Sequence, residues 1–332
     1  MPLDIDAKGA EKGKQDWAAR GTVFLSVKGL EYEMTARIIL NPYSGRWRAE
    51  KRFPEAASAL REAGVDFDVV RSDGPSHCTA LAEQAVREGF SPIIAAGGDG
   101  TLGEVVNGLV KAAGDKPLTT LGILPLGTAN DLISNLKLTT DLQEMAQIIA
   151  AGKTRRMDLC SVNGHYFVNN TALGLEPFVT VIQENVKWLK GIPRYLYAAL
   201  AAISSGKSWD AEIEWDDGKY TGPISLISIG NGARTGGLFY MAPHADLFDG
   251  EITLLFGHAR SRLDMLSFLP LMMQADGEKF LKRDGVFEIN TKRLHIKLAE
   301  SSPAHADGEI FDRELYEANY QVHPGRLPIL MP

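Results

Sequence analysis

The sequence predicts an α/β domain with a doubly wound parallel sheet, followed by a mainly antiparallel β domain folded as a sandwich. Three observations predict it. Short apolar strands alternate with amphipathic helices from about residue 36 to 155. Polar, glycine-containing turns leave three of those strands, at 41–45, 97–101 and 125–131. After about residue 156 the pattern becomes alternating or apolar runs separated by turns such as Asp216-Asp217-Gly218.

Composition is compatible with two globular units. The chain has 332 residues, 45% hydrophobic and 23% charged. A net charge of −7 argues against a nucleic-acid partner, which would require a basic face. Cys78 and Cys160 lie in apolar stretches and read as buried free thiols in a reducing cytoplasm. No apolar run approaches the roughly 20 residues of a membrane span, and no apolar segment follows the first charges as in a signal peptide. Residues 1–35 are expected to be a poorly ordered extension, with pattern only at Thr22–Val27, and Met34 is an alternative start.

The first domain, 36–155, opens with strand Arg37–Leu40, which runs into Asn41-Pro42-Tyr43-Ser44-Gly45. That turn is either an ordinary β–α connection or a ligand-binding one. Arg46, Arg48, Lys51 and Arg52 follow, as a solvated face or a phosphate-facing patch. A helix is expected from about Pro54 to Gly64, a strand over Val65–Arg71, and a helix over His77–Glu88. Strand Pro92–Ala96 leads into Gly97-Gly98-Asp99-Gly100-Thr101 and a helix carrying Val105, Val106 and Leu109 on one side. Strand Leu121–Leu124 and helix Asp141–Ala151, stopped by Gly152, complete the unit. Ligands of such sheets bind at the carboxyl ends of the strands, where the three turns are expected to converge.

The second domain, 156–318, contains strands at Ala211–Trp215, Ile224–Ile229, Glu251–Phe256 and Arg293–Leu298. Helical stretches are expected at Asn185–Ser205 and Ser261–Met273, and about 319–332 returns a strand to the first domain.

The turn at 97–101 carries the chemistry. Three glycines at a strand–helix junction let backbone N–H groups approach an anion. Asp99 places a carboxylate where phosphates would sit, which requires a metal between them. Gly98-x-Gly100-x-x-Gly103 satisfies the dinucleotide fingerprint, but it sits in the third strand–helix unit and no acid ends a strand about 20 residues on. No Walker A loop is present.

Gly97-Gly98-Asp99-Gly100-Thr101, with Glu104 and Asn107-Gly108 behind it, resembles the signature of the diacylglycerol kinase catalytic-domain family, which includes bacterial lipid kinases and the sphingosine and ceramide kinases. Asn41-Pro42-x-Ser44-Gly45 resembles the family's first nucleotide loop, and Pro125-Leu126-Gly127-Thr128-Ala129-Asn130-Asp131 its third. Gly230-Asn231-Gly232, Gly236-Gly237, Ala242-Pro243, Asp249-Gly250 and Asp307-Gly308-Glu309 follow in the family's order. The match covers about 36–332. Gly-Gly-Asp-Gly-Thr alone also suits the NAD kinases, whose nucleotide domain is similar.

The resemblance implies roles. Asn41, Pro42, Ser44, Gly45, Gly97, Gly98, Asp99, Gly100 and Thr101 would wrap ATP, with Glu104, Gly127, Thr128 and Asn130 beside it and Asp99 near the phosphates and their Mg²⁺. Ser72 stands where the family has threonine and keeps the hydroxyl. Ser76-His77-Cys78 departs from the family's Gly-His-Ala. Glu309 would be the general base, helped by Asp307. Asp249, with Asp246 and Glu251, resembles a second, structural Mg²⁺ site, with a side-chain oxygen from Asp249 and carbonyls from the other two. Bland readings stay open: Asp307-Gly308 and Asp249-Gly250 also suit plain hairpin turns, and His77, His244, His305 and His323 suit loop or strand positions.

The expected activity is transfer of the ATP γ-phosphate to a lipid hydroxyl, with diacylglycerol first among acceptors. Another lipid (a sphingoid base or phosphatidylglycerol), a soluble acceptor such as NAD, and a nucleotide-sensing module without catalysis are the alternatives. Extracting a lipid of about 30 methylenes would cost roughly 24 kcal/mol, so the enzyme is expected at the inner face of the membrane as a peripheral protein. Asn185–Ser205, with Lys187, Lys190, Arg194 and Lys207, is the candidate contact, or else a core helix. The Leu/Met stripe at 263–273 is core or lipid-contacting. A homodimer is a further open assembly.

Overall fold

The computed structural model describes residues 24–27, 30–33, 35–189 and 192–332. Most of the amino-terminal extension, Met34 and Lys190 lie outside the described residues. Strands β1 (Phe24–Val27) and β2 (Leu30–Glu33) pair as an antiparallel hairpin.

Next come β3 (Ala36–Leu40), α1 (Ser44–Glu62), β4 (Phe67–Arg71), α2 (His77–Arg87), β5 (Ile93–Gly97), α3 (Asp99–Ala113), β6 (Leu121–Pro125), α4 (Asp131–Asn135) and α5 (Leu142–Ala151). The strands pair in parallel in the order β6-β5-β3-β4. Ile38, Ile39, Leu40, Ile93 and Ile94 are fully buried, because helices cover both faces. The chain steps one way from β3 to β4 and the other way to β5. The turns after β3 and β5 therefore flank the point where the winding reverses, which is where such sheets open a crevice.

The remaining elements are β7 (Thr154–Val162), β8 (His165–Phe167), β9 (Asn170–Gly174), α6 (Leu175–Asn185), α7 (Ile192–Ser205), β10 (Trp209–Trp215), β11 (Gly218–Ile224), β12 (Leu226–Gly230), β13 (Arg234–Thr235), β14 (Phe239–Tyr240), β15 (Ile252–Gly257), α8 (Arg262–Met272), α9 (Glu278–Leu281), β16 (Val286–Thr291), β17 (Arg293–Ala306) and β18 (Glu309–Leu330). Strands β9, β12, β15, β16, β17 and β18 pair antiparallel in the order β16-β15-β12-β9-β17-β18. Their core includes Phe167, Trp209, Ile213, Ile227, Phe256 and Ile296. The end of β18 pairs in parallel with β6 through Ile329 and Leu121, so the two halves share hydrogen-bonded strands.

Several elements differ from expectation. Helix α1 starts at Ser44, with left-handed backbone at Gly45, Arg46 and Trp47, and Pro54 lies inside it. Burying Phe53, Ala56, Ala57 and Leu60 on one face outweighs the bond that Pro54 cannot make. Helix α3 starts at Asp99, not after Thr101, because an acid in the first turn suits the positive end of a helix. The stretch 185–205 is broken, with α6 ending at Asn185 and α7 starting just before Pro193, whose fixed φ suits a helix start. The run 224–229 splits at Ser225, whose N–H donates to Gly257 O (2.8 Å) and whose carbonyl accepts from Leu175 N–H (3.1 Å). Strand β17 continues well past Leu298, but register shifts between Lys297 and His305 hide its alternation. Asp141 caps α5 by accepting from Gln143 and Glu144 N–H, and Gly152 ends it in left-handed conformation.

Candidate active site

Thr101, in the first turn of α3, ties the first two turns together. Asn41 Nδ2 donates to Thr101 Oγ1 (3.0 Å), and Ser44 Oγ shares a hydrogen bond with the same oxygen (3.1 Å). Gly97 leaves room for this, since a Cβ there would collide with the Thr101 side chain. Gly97 O accepts from Leu126 N–H (3.0 Å) and Gly127 N–H (2.8 Å), which joins the third turn. A Cβ on Gly127 would strike Gly98 Cα, so the two glycine backbones are in contact. Gly98 is the extended N-cap of α3, and Asn130 the left-handed N-cap of α4. Pro42 is buried, and Ser72 donates its N–H to Leu40 O (2.9 Å) next to Asn41. The three turns thus meet at the helix N-termini, where amides favour an anion.

Four carboxylates face the same space. Asp99 Oδ1 accepts from Leu132 N–H (3.1 Å), and burial raises its pKa. Asp131, only 4% exposed, accepts from Gly237 N–H and lies 3.6 Å from Arg234. Burial, then the Asp99 charge, pushes Asp131 up to about 6. Asp307 accepts from Val168, Asn169 and Asn170 N–H (2.9, 2.8 and 3.2 Å), and burial still raises it to about 7. Glu309 is more open, but partial burial and the Glu104 charge raise it too. Asp307 and Gly308 have φ of 48° and 84°, as a type I′ hairpin turn requires. Asp307-Gly308 is thus a hairpin turn, and it brings both acids against α3, Glu309 beside Gly100 and Asp307 beside Gly103. Glu104 caps α2 with both oxygens, accepting from Ser76 N–H (2.8 Å) and Cys78 N–H (3.0 Å).

This donor set fits a divalent cation shared with phosphate. Among the described residues, no three His, Cys, Asp or Glu side chains form a cage by themselves. Mg²⁺ usually takes one or two carboxylates plus substrate oxygens and water, and crowded carboxylates of raised pKa are relieved by such a charge.

Asp246, Asp249 and Glu251 lie elsewhere, in the segment just before β15. Asp246 and Asp249 each accept a backbone N–H two residues on, from Phe248 (3.0 Å) and Glu251 (2.9 Å). Burial, with the charges of Asp246, Glu251 and Asp158, raises Asp249.

A cavity of about 640 Å³ runs from the turns into the second half of the chain. Gly45, Gly98, Asp99, Thr128, Asp307 and Glu309 line one end. Leu175, Val179, Ile203, Phe239, Leu269 and Met272 line the other. Arg234, Asn170 and Glu176 are site-region residues that the sequence did not single out, while Asp131 was quoted only as the end of the third turn and His305 only as a loop or strand residue. Only His305 carried a hint, since strand alternation places it on the face of Asp307. His244 and His323 instead bond Glu288 (2.6 Å) and Ser161 (2.9 Å).

Residues 35–162 match the diacylglycerol kinase catalytic domain, and 169–331 the YegS C-terminal NAD kinase beta sandwich-like domain. The diacylglycerol kinase of Staphylococcus aureus is 30% identical over 277 residues, covering 82% of this chain and 85% of its own. The chain belongs to the diacylglycerol kinase family. This family's members are phosphotransferases with an alcohol acceptor. The diacylglycerol kinase of Staphylococcus carnosus is 29% identical over 275 residues, with 82% and 88% covered. The crystal structure of a diacylglycerol kinase from Bacillus anthracis superposes with a TM-score of 0.72 at 20% identity, over 90% of this chain and 97% of that one. That superposition carries the α/β domain and the β-rich domain together as one fold.

Proposed function

We propose that this family member is an ATP- and Mg²⁺-dependent lipid kinase, with diacylglycerol the first acceptor to try and phosphatidic acid its product. One observation carries the reading: a single cavity joins the phosphate-cradling turns and Glu309 to an apolar interior. A soluble acceptor such as NAD would have no use for the apolar end.

Glu309 takes the proton of the acceptor hydroxyl as its oxygen bonds to the γ-phosphorus and the bond to the β,γ-bridging oxygen breaks, releasing ADP. Amides of Gly98–Thr101 and the Thr128 hydroxyl orient the phosphates. Asp99, with Asp131 behind it, would hold Mg²⁺, which supplies neutralisation of phosphate charge. Asp307 stays fixed by three N–H donors and aims the hairpin that carries Glu309. Asp249, with backbone oxygens of Asp246 and Glu251, would hold a second, structural ion.

The lipid would be met at a membrane surface. Among the described residues, no helix is long and apolar enough to cross a bilayer. Helix α7 and its approach expose Trp188 (71%), Leu196, Tyr197 and Leu200, while Ala198, Ala199 and Ala202 face the core. On α8, Leu263 is 79% exposed while Met265 and Phe268 are buried. The exposed residues form a set suited to peripheral docking beside the cavity's apolar walls. The test is incubation with ATP–Mg²⁺ and diacylglycerol in mixed micelles, read by mass spectrometry. Phosphatidic acid formation supports the reading. Phosphate gained only by a soluble acceptor, or by no lipid of a total lipid extract offered in place of diacylglycerol, overturns it.

A further inference from the structure

Three side-chain atoms on the cavity wall are buried without a hydrogen-bond partner among the described residues: Asn170 Nδ2, Glu176 Oε2 and His305 Nδ1. The other polar atoms of these side chains are engaged. Asn170 Oδ1 accepts from Thr235 Oγ1 (3.1 Å), and His305 Nε2 lies 2.9 Å from Glu176 Oε1. Asn170 and His305 are 3% and 2% exposed. His305 sits opposite Ala172 on β9, and Asp307 N–H donates to Asn170 O, so alternation puts Asn170, His305 and Asp307 on one face. Glu176 approaches from the first turn of α6. The three therefore line the same cavity as the carboxylates and the apolar side chains.

Buried polar atoms without partners are rare in native proteins, and three on one cavity wall ask for a ligand. Their chemistry restricts it. Asn170 Nδ2 only donates, and an ionised Glu176 Oε2 only accepts. An ester oxygen satisfies Asn170 and leaves Glu176 unpaired. A hydroxyl or a secondary amide satisfies both.

Resting on the lipid-kinase reading, we propose that Asn170, Glu176 and His305 form a subsite that selects acceptor lipids bearing a hydroxyl or amide beside the reacting hydroxyl. Monoacylglycerols and N-acylated amino alcohols fit it better than diacylglycerol, whose neighbouring group is an ester.

The test uses two probes that differ by one hydroxyl, hexadecane-1,2-diol and hexadecan-1-ol, titrated calorimetrically into the full chain in detergent micelles. The diol is expected to bind about tenfold more tightly, the net worth of about one hydrogen bond. Glu176→Leu should bring the two probes to parity. Glu176→Gln, which keeps the size but adds a donor, should shrink the preference, and ATP-analogue binding checks that each variant is folded. Equal binding of the probes to the wild type, or a preference unchanged in both variants, overturns the subsite and leaves water as the partner of these atoms. The two levels separate. Lipid phosphorylation without diol preference overturns the subsite alone. Glu176-dependent diol preference without transfer to any lipid upholds the subsite and overturns the kinase reading.

Discussion

Gly100 and Glu309 share one space: the side chain that Gly100 lacks is the hollow in which the Glu309 carboxylate lies, and a Cβ there would collide with Glu309 Oε1. One turn further along α3, a Cβ on Gly103 would come within 3.2 Å of Asp307 Oδ2. The two glycines make one face of α3 the seat of the Asp307–Glu309 hairpin. Gly100→Ala should therefore lose activity at least tenfold by turning Glu309 aside. Alanine is favoured over glycine inside a helix by about 0.5–1 kcal/mol, so the melting temperature should hold or rise. A fully active Gly100→Ala enzyme would show that Glu309 does not work from this seat.

Removing the carboxylate proposed as the base is the sharper experiment. Glu309→Gln should lower kcat by about 10²–10⁴-fold with little change in melting temperature. Asp99→Asn should be comparably inactive and should also raise the Mg²⁺ concentration needed for half-maximal turnover. Steady-state kinetics across a Mg²⁺ series checks both.

The pH dependence follows from the raised carboxyls. Glu309 must be ionised to accept a proton, and its pKa lies above the ordinary glutamate value of about 4.3. The acidic limb of kcat/KM should be displaced upward accordingly. Because the Glu104 charge contributes to that rise, Glu104→Gln should move the limb to lower pH.

Stability should carry an opposite and unusual signature. Asp131 and Asp307 bind protons more tightly folded than unfolded, with values of about 6 and about 7. Their contribution is fully present below the unfolded value of about 3.9 and is lost as pH rises through the folded values. Asp131→Asn removes one such group. The melting temperature of the variant minus that of the wild type should grow between about pH 4 and about pH 6 and level off above that. A flat difference would place the Asp131 titration elsewhere.

Packing behind the site is tight. A Cβ on Gly108 would strike Thr79 O and Ala82 Cβ, which belong to α2. Gly108→Ala should cost about 1–3 kcal/mol by overpacking, read from denaturant unfolding. On the far side, Trp188→Ser with Leu263→Ser should weaken co-sedimentation with anionic vesicles severalfold. Both positions are exposed, so stability should change by no more than about 0.5 kcal/mol each.

The sequence by itself determined the winding of the first domain and the three turns that meet at its crevice. Gly97–Thr101, Asn41–Gly45 and Gly127–Asn130 are local chemistry: residues that permit special backbone geometry, placed directly after apolar strands. It also marked Asp307-Gly308 as a turn, because a type I′ turn is written in two adjacent residues, while Glu309 stood out only through the family resemblance. Tertiary structure alone decided what lies between these pieces. Asp131 meets Gly237 across 106 residues, and Glu176 meets His305 across 129. No period or spacing relates such partners, since strand pairing in β9 and β17 and the docking of α6 bring them together. The commitment of Glu104 to the start of α2, and the continuity of an apolar cavity with the three glycine-containing turns, have the same origin. Each depends on which surfaces packing presses together, and a linear pattern records only which surfaces are apolar.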